Sequence, residues 1–175
     1  SISQKILTEA RCSVRVGRGR IEVDDSPARI MIAFDGLDGS FAALEAAASR
    51  RWPGGSEVRV VSVAEQLAPS AIGRFIPPVN RLVDEVNVSE RTWLEDRAAE
   101  AAAMLENSGI PASFDILAGN PKQLLVEEAS RWNADSIFFG ANRYGSRLER
   151  FLLGSTSAAV AARASSSVEV VRRAC

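Results

Sequence analysis

Two short stretches carry the groups best suited to holding an anion. Gly140-Ala141-Asn142-Arg143-Tyr144-Gly145 follows an apolar run, and Gly154-Ser155-Thr156-Ser157 opens a helical pattern further along. A glycine at a strand end lets the backbone turn tightly and approach a ligand closely. A helix start presents unpaired N–H groups and the positive end of the helix dipole, and here Ser155, Thr156 and Ser157 add three hydroxyls. Together these make an anion site, with a plain helix cap as the alternative reading of Gly-Ser at a helix start.

The residues the chain lacks narrow the chemistry further. None of its 175 residues is histidine. Ser-His-Asp and Cys-His nucleophile systems, imidazole general bases and His-ligated zinc are therefore excluded. Cys12 and Cys175 are the two cysteines, too few for a disulfide framework or a structural zinc site, and a reducing cytoplasm is the expected setting. The formal net charge is −1, which suggests neither nucleic acid nor an anionic membrane as partner. No apolar stretch approaches the roughly 20 residues of a membrane span, and Ser1–Ala10 is too polar for a signal peptide.

The elements that must position these groups are read from hydrophobic spacing. Arg29–Phe34, Glu57–Val63 and Ser136–Phe139 are nearly continuous apolar runs, as expected of strands covered on both faces. Ser113–Leu117 and Val168–Arg172 alternate instead, which predicts half-exposed strands at the sheet edges. Helical patterns lie between them. One begins at Ser40 as N-cap, with Phe41, Leu44 and Ala48 on one face. A second starts near Ser89 and bears Leu94, Ala98, Ala101 and Leu105. A third has Asn120 as N-cap, Pro121 in the first turn, and Leu125, Ala129 and Trp132 on its face. A fourth is the Ala-rich stretch from Ser155 to about Ala164. Gln66–Arg81, with Pro69, Gly73, Pro77 and Pro78, reads as a long flap beside the site. Trp52, Trp93 and Trp132 read as packing or partner surface.

Strand and helix alternate, which specifies an α/β fold with a five-stranded parallel sheet between two helical layers. Placing the alternating strands at the edges gives the order 3-2-1-4-5. The switch point then falls between strands one and four, where open α/β sheets bind ligands beyond the strand carboxyl ends. Those ends are Asp35-Gly36 and Gly140.

The two ends of the chain also repeat each other. An offset of 154 carries Ser1 onto Ser155, Ser3 onto Ser157, Ala10 onto Ala164 and Ser13 onto Ser167. It likewise carries Val14 onto Val168, Val16 onto Val170 and Arg18 onto Arg172. A repeat at about one domain length predicts a tandem array. Residues 1–20 are read as the last helix and strand of an upstream copy, and residues 28–173 as a complete domain. Cys12–Val16 is expected to pair, antiparallel, along Val168–Arg172.

Over Ala28–Arg173 the sequence resembles the universal stress protein family. The matching stretches are I-M-I-A-F-D-G at Ile30–Gly36, E-V-R-V-V-S-V at Glu57–Val63, G-N-P at Gly119–Pro121 and S-R-L-E-R-F-L-L-G-S at Ser146–Ser155. The resemblance implies the adenine nucleotide alpha hydrolase-like sheet and a role in stress response. It also implies dimers formed through the last strand, here Val168–Arg172, as a homodimer or between tandem copies. Its ATP-binding branch carries Gly-x2-Gly-x9-Gly-Ser/Thr, onto which Gly140, Gly154 and Ser155 map. Asp35 matches the acidic residue near ribose and phosphate, and Val63 the strand residue whose backbone meets adenine. The implied ligand is ATP, AMP or ADP, with magnesium reaching Asp35 through the nucleotide.

Two departures are visible. Arg143 stands where the pattern has its second glycine, with Gly145 as a displaced substitute, and the interval from Gly140 to Gly154 is one residue longer. A second reading is therefore a family member that acts through partner contacts without nucleotide. A third is an ATP-hydrolysing enzyme, since Asp35–Ser40 partly resembles the Ser-Gly-Gly-x-Asp-Ser loop of ATP pyrophosphatases. The first serine of that loop is missing here and the glycines do not align. No dedicated enzymatic activity is expected, although slow ATP hydrolysis is compatible with the first reading.

Overall fold

The apolar runs become the centre of a six-stranded sheet in the computed structural model, which describes residues 2–10, 12–18, 26–66, 77–141 and 154–173. Ile30–Ala33 are all buried in the strand Arg29–Ala33, and so are Ser136–Phe139 in Ser136–Gly140. The elements run α1 (Ile2–Glu9), β1 (Val14–Val16), β2 (Arg29–Ala33), α2 (Asp38–Ala48), β3 (Glu57–Ala64) and α3 (Pro77–Glu106). They continue with β4 (Ala112–Ala118), α4 (Pro121–Arg131), β5 (Ser136–Gly140), α5 (Ser155–Arg163) and β6 (Ser167–Val171).

The sheet order is β1-β6-β5-β2-β3-β4. Strands β2 to β6 are parallel and lie in the expected order 3-2-1-4-5. The sixth strand, β1, joins the edge of β6 antiparallel, pairing Val14 with Val170, Arg15 with Glu169 and Val16 with Val168.

Alternate side chains on the strands feed two cores. Met31, Val61, Ile137, Phe139, Val168 and Val170 pack with Leu125 and Ala129 of α4, Val160 of α5 and Leu7 of α1. On the other face Ile30, Ile32, Val58, Val60 and Phe138 pack with Leu44 of α2 and with Ala101 and Leu105 of α3. Each such aliphatic side chain contributes roughly 1.5–3 kcal/mol on burial.

Three sequence expectations need correction. Val168–Arg172 is not a half-exposed edge, because every residue of β6 is buried. β1 covers the edge, Arg50 of α2 ion-pairs with Glu169, and the Arg172 guanidinium reaches the carbonyls of Leu7 and Cys12. Burial pushes the Arg172 guanidinium below its ordinary pKa. Ser40 is not the N-cap of α2. Leu37 is, and the Ser40 hydroxyl donates to the Leu37 carbonyl at 2.8 Å from inside the first turn. The helix placed near Ser89 begins at Pro77, so Pro77–Arg81 is the first turn of α3 rather than flap. Proline is tolerated in a first helical turn, whose N–H groups have no intrahelical acceptor. The rest of the expected flap falls mostly on residues 67–76, outside the described residues.

Candidate functional site

Parallel strands that depart in opposite directions leave a crevice, and here it opens between β2 and β5. Their register pairs Ile32 with Phe138, which brings Phe34 level with Gly140. The Phe34 N–H donates to the Val61 carbonyl at 2.9 Å and extends the β2–β3 pairing to the rim. Beyond the carboxyl ends lies a cleft of about 470 Å³, a size that suits a small ligand.

The cleft has two chemically different ends. At one end Val61 and Val63 of β3 form an apolar wall, facing Leu125 and Pro121 of α4. The α4 start is fixed by Asn120, whose side chain accepts from the Lys122 N–H at 2.9 Å, as the sequence predicts. The same helix is tied to β3 by the Arg59–Glu128 ion pair at 2.9 Å. At the other end Gly140 closes β5, and Gly154, Ser155, Thr156 and Ser157 bring in the start of α5. Among the described residues no side chain caps this helix, and the first N–H groups of any helix have no intrahelical acceptor. Ser157 donates to the Gly154 carbonyl at 2.9 Å and braces the turn.

Asp35 lies between the two ends. Its carboxylate accepts from the Leu37 N–H at 3.0 Å, which folds the Asp35–Leu37 turn. Gly36 takes φ +73°, and an added Cβ would stand 2.6 Å from Trp93 Cη2. Arg97 donates from Nε to the Gly36 carbonyl at 3.0 Å and stacks over the Phe41 ring at 4.5 Å. Helix α3 thus holds the turn that presents Asp35.

Gly140 has a different local reason from the one its sequence position suggests. A Cβ there would fall on the Gly39 carbonyl and 2.5 Å from the Ser40 nitrogen. The missing side chain makes room for the start of α2, which passes directly over the strand end.

The structure gathers Asp35, Val63, Gly140, Gly154, Ser155 and Thr156 around one cleft. Arg143 and Gly145 lie outside the described residues. Glu65 and Glu90 also line the cleft and were missed by sequence reasoning. Glu65 directly follows a strand, a position that could have flagged it. Glu90 needed the true start of α3. Among the described residues no lysine or arginine lines the cleft, and no cluster of three or more His, Cys, Asp or Glu could hold a metal ion.

Comparison with known proteins places this geometry. The model of the universal stress protein family matches residues 28–172. The stress response protein NhaX of Bacillus subtilis is 29% identical over 162 residues, covering 82% of this chain and 97% of that protein. Universal stress protein UspA from Lactobacillus plantarum superposes with a TM-score of 0.68 at 20% identity, over 83% of this chain and 97% of that one. A universal stress protein solved in complex with cAMP has a TM-score of 0.56 at 20% identity, over 84% and 98% of the two chains. One from Archaeoglobus fulgidus has a TM-score of 0.62 at 24% identity and takes in 99% of this chain, extension included, within 54% of its own length.

Proposed function

The chain belongs to the universal stress protein family, and on that premise we propose that it is a stress-response module that binds an adenine nucleotide, ATP or its di- or monophosphate. The observation that carries this reading is the pairing of an uncapped helix start with an apolar wall across one cleft. A phosphate group fits the first, through N–H groups, the helix dipole and the Ser155 and Thr156 hydroxyls. A flat, weakly polar base fits the second, along Val61 and Val63.

In this arrangement Asp35 faces the sugar and the phosphates between them, and Gly140 shapes the floor. Arg143 and Gly145 belong to the proposed site by sequence alone. The acidic lining of Asp35, Glu65 and Glu90 makes magnesium, carried in on the nucleotide, a natural counter-ion. The relative solved with cAMP agrees with the reading. The proposed role is binding and release rather than turnover, in a reducing cytoplasm, which suits the free and exposed Cys12. Among the described residues no helix is long and apolar enough to cross a membrane.

Isothermal titration of the purified chain with Mg-ATP, and separately with AMP, tests the proposal. Saturable heat is expected. Folded protein that gives no heat at millimolar nucleotide would leave the partner-contact reading in its place.

A further inference from the structure

The two ends of the sheet carry opposite charge. At the carboxyl ends the cleft is lined by Asp35, Glu65 and Glu90, with no described lysine or arginine. At the amino ends a second cleft, of about 740 Å³, lies between the N-terminal extension and the body of the domain. Three arginines and one carboxylate line it. Arg15 comes from β1, Arg18 follows that strand, Arg29 opens β2, and Asp135 directly precedes β5. The chain as a whole carries only −1, so the positive surplus is local.

Helix C-termini meet at this end of a parallel sheet, and the negative end of the helix dipole attracts cations. That accounts for part of the set. Arg18 Nη1 donates to the Ala164 carbonyl at 2.7 Å, where α5 ends. Arg29 Nη1 donates to the Trp132 carbonyl at 3.2 Å, where α4 ends. Each bond uses one of the five donors of a guanidinium, and the two helix ends together offset about one charge. Asp135 spends Oδ2 on the Arg29 backbone N–H at 2.7 Å. Arg15 lies across the ladder from Glu169, whose carboxylate is already taken by Arg50. Among the described residues no carboxylate pairs with the guanidinium of Arg15, Arg18 or Arg29.

The cations are also held in place by the backbone that carries them. Ser167 Oγ accepts from the Arg18 N–H at 3.0 Å and donates to the Arg18 carbonyl at 2.9 Å. Arg15 and Arg29 belong to paired strands. Ser130, Asn133 and Ser165, all exposed, add neutral donors to the lining. A guanidinium is a planar fork that meets two oxygens of one phosphate at once.

We propose that this cleft is a second ligand site, separate from the one at the carboxyl ends, and that it takes a small polyvalent phosphate, a molecule with a diphosphate or two phosphate groups. Three cations on separate elements call for more than one anionic group, and the volume suits a small molecule. Two of the three arginines precede residue 28, where the family match begins. The site is therefore particular to a chain with this extension, and it is complete only while β1 lies on β6. A bound anion bridges the extension and the body. The inference does not depend on the nucleotide reading, and a failure of Mg-ATP to bind would leave it standing.

Inorganic pyrophosphate without magnesium, titrated into the full chain at fixed ionic strength, is the probe. Saturable binding is expected, with amide shifts in NMR spectra gathered at residues 15–18, 133–135 and 165–167. Arg15→Gln breaks no described bond and should weaken binding by at least about fivefold, while Ser155→Ala should leave it unchanged. Shifts gathered at residues 154–157, equal affinity in the Arg15→Gln variant, or no saturable binding would overturn the proposal. Equal affinity for sulfate at the same ionic strength would reduce the effect to charge screening and overturn it as well. The sequence between Arg18 and Ser26 carries Glu22, Asp24 and Asp25. Binding seen only after Glu22→Gln, Asp24→Asn and Asp25→Asn together would assign the arginines to these acids, and the proposal would fall.

Discussion

Gly140 ends β5 directly beneath the Gly39 carbonyl at the start of α2, so close that no side chain fits between them. The floor of the cleft is therefore set by contact between a strand end and a helix start. Gly140→Ala is expected to push α2 off the sheet. Overpacking of this kind costs roughly 1–3 kcal/mol or more, and the midpoint of urea unfolding should fall accordingly. An unchanged midpoint would mean that the two backbones separate at no cost.

Gly36 is strained in a different way. Its φ of +73° disfavours any side chain, and Trp93 fills the space where one would go. Gly36→Ala should cost about 1–2 kcal/mol from the backbone alone, with the Trp93 clash added. Trp93→Ala removes the clash but not the φ penalty. In a double-mutant cycle the pair should couple by more than about 0.5 kcal/mol in the relieving direction. Strict additivity would show that α3 does not press on the Asp35 turn.

Ser155 is exposed at the start of α5, where among the described residues no side-chain cap bond is made. Ser155→Ala should therefore leave thermal unfolding nearly untouched. A hydrogen bond to a charged group is worth roughly 1.5–3 kcal/mol, so ATP affinity should drop by about tenfold or more. Equal affinity in the variant would place the phosphates elsewhere.

Charge makes a separate prediction about magnesium. Asp35, Glu65 and Glu90 line the cleft with no described lysine or arginine among them. Free ATP adds further negative charge to this setting. Chelating magnesium should weaken ATP binding several-fold, as repulsion between like charges predicts, and should affect AMP much less. Titrations with and without EDTA compare the two. Equal losses for ATP and AMP would argue against a metal-bridged triphosphate.

The central strands were legible because both faces of β2 and β5 are covered, and a continuous apolar run has no other economical use in a chain of this polarity. The order of strands followed from alternation, yet alternation misread β6. Glu169 and Arg172 look like solvent-facing residues in V-E-V-V-R, whereas in the interior Glu169 pairs with Arg50 and Arg172 donates to the Leu7 and Cys12 carbonyls. Sequence spacing reports polarity and cannot tell water from a buried partner. The start of α3 was hidden for a related reason. Pro77 and Pro78 mark loops in most settings, and the turns after them have little apolar periodicity because they pack on little. Glu90 was missed as a cleft residue along with them. Gly140 lines the cleft, but its need for glycine comes from Gly39, a contact distant in sequence.

The unequal anchoring of α3 has a consequence for how the protein meets a protease. Of thirty helical residues only Leu94, Ala101 and Leu105 are buried, all in the second half. Leu82, Val86 and Val88 are exposed in the first half. Opening the turns before Leu94 gives up little buried apolar area, so they should unravel locally while the sheet stays intact. Trypsin is then expected to nick the native chain at Arg81 and Arg91 well before Arg97, which is pinned to the Gly36 carbonyl. Glu90 stands at the border between the two halves and faces the cleft. A ligand that engages it would lend the first half the stability of the second, and digestion at Arg91 would slow as the site fills.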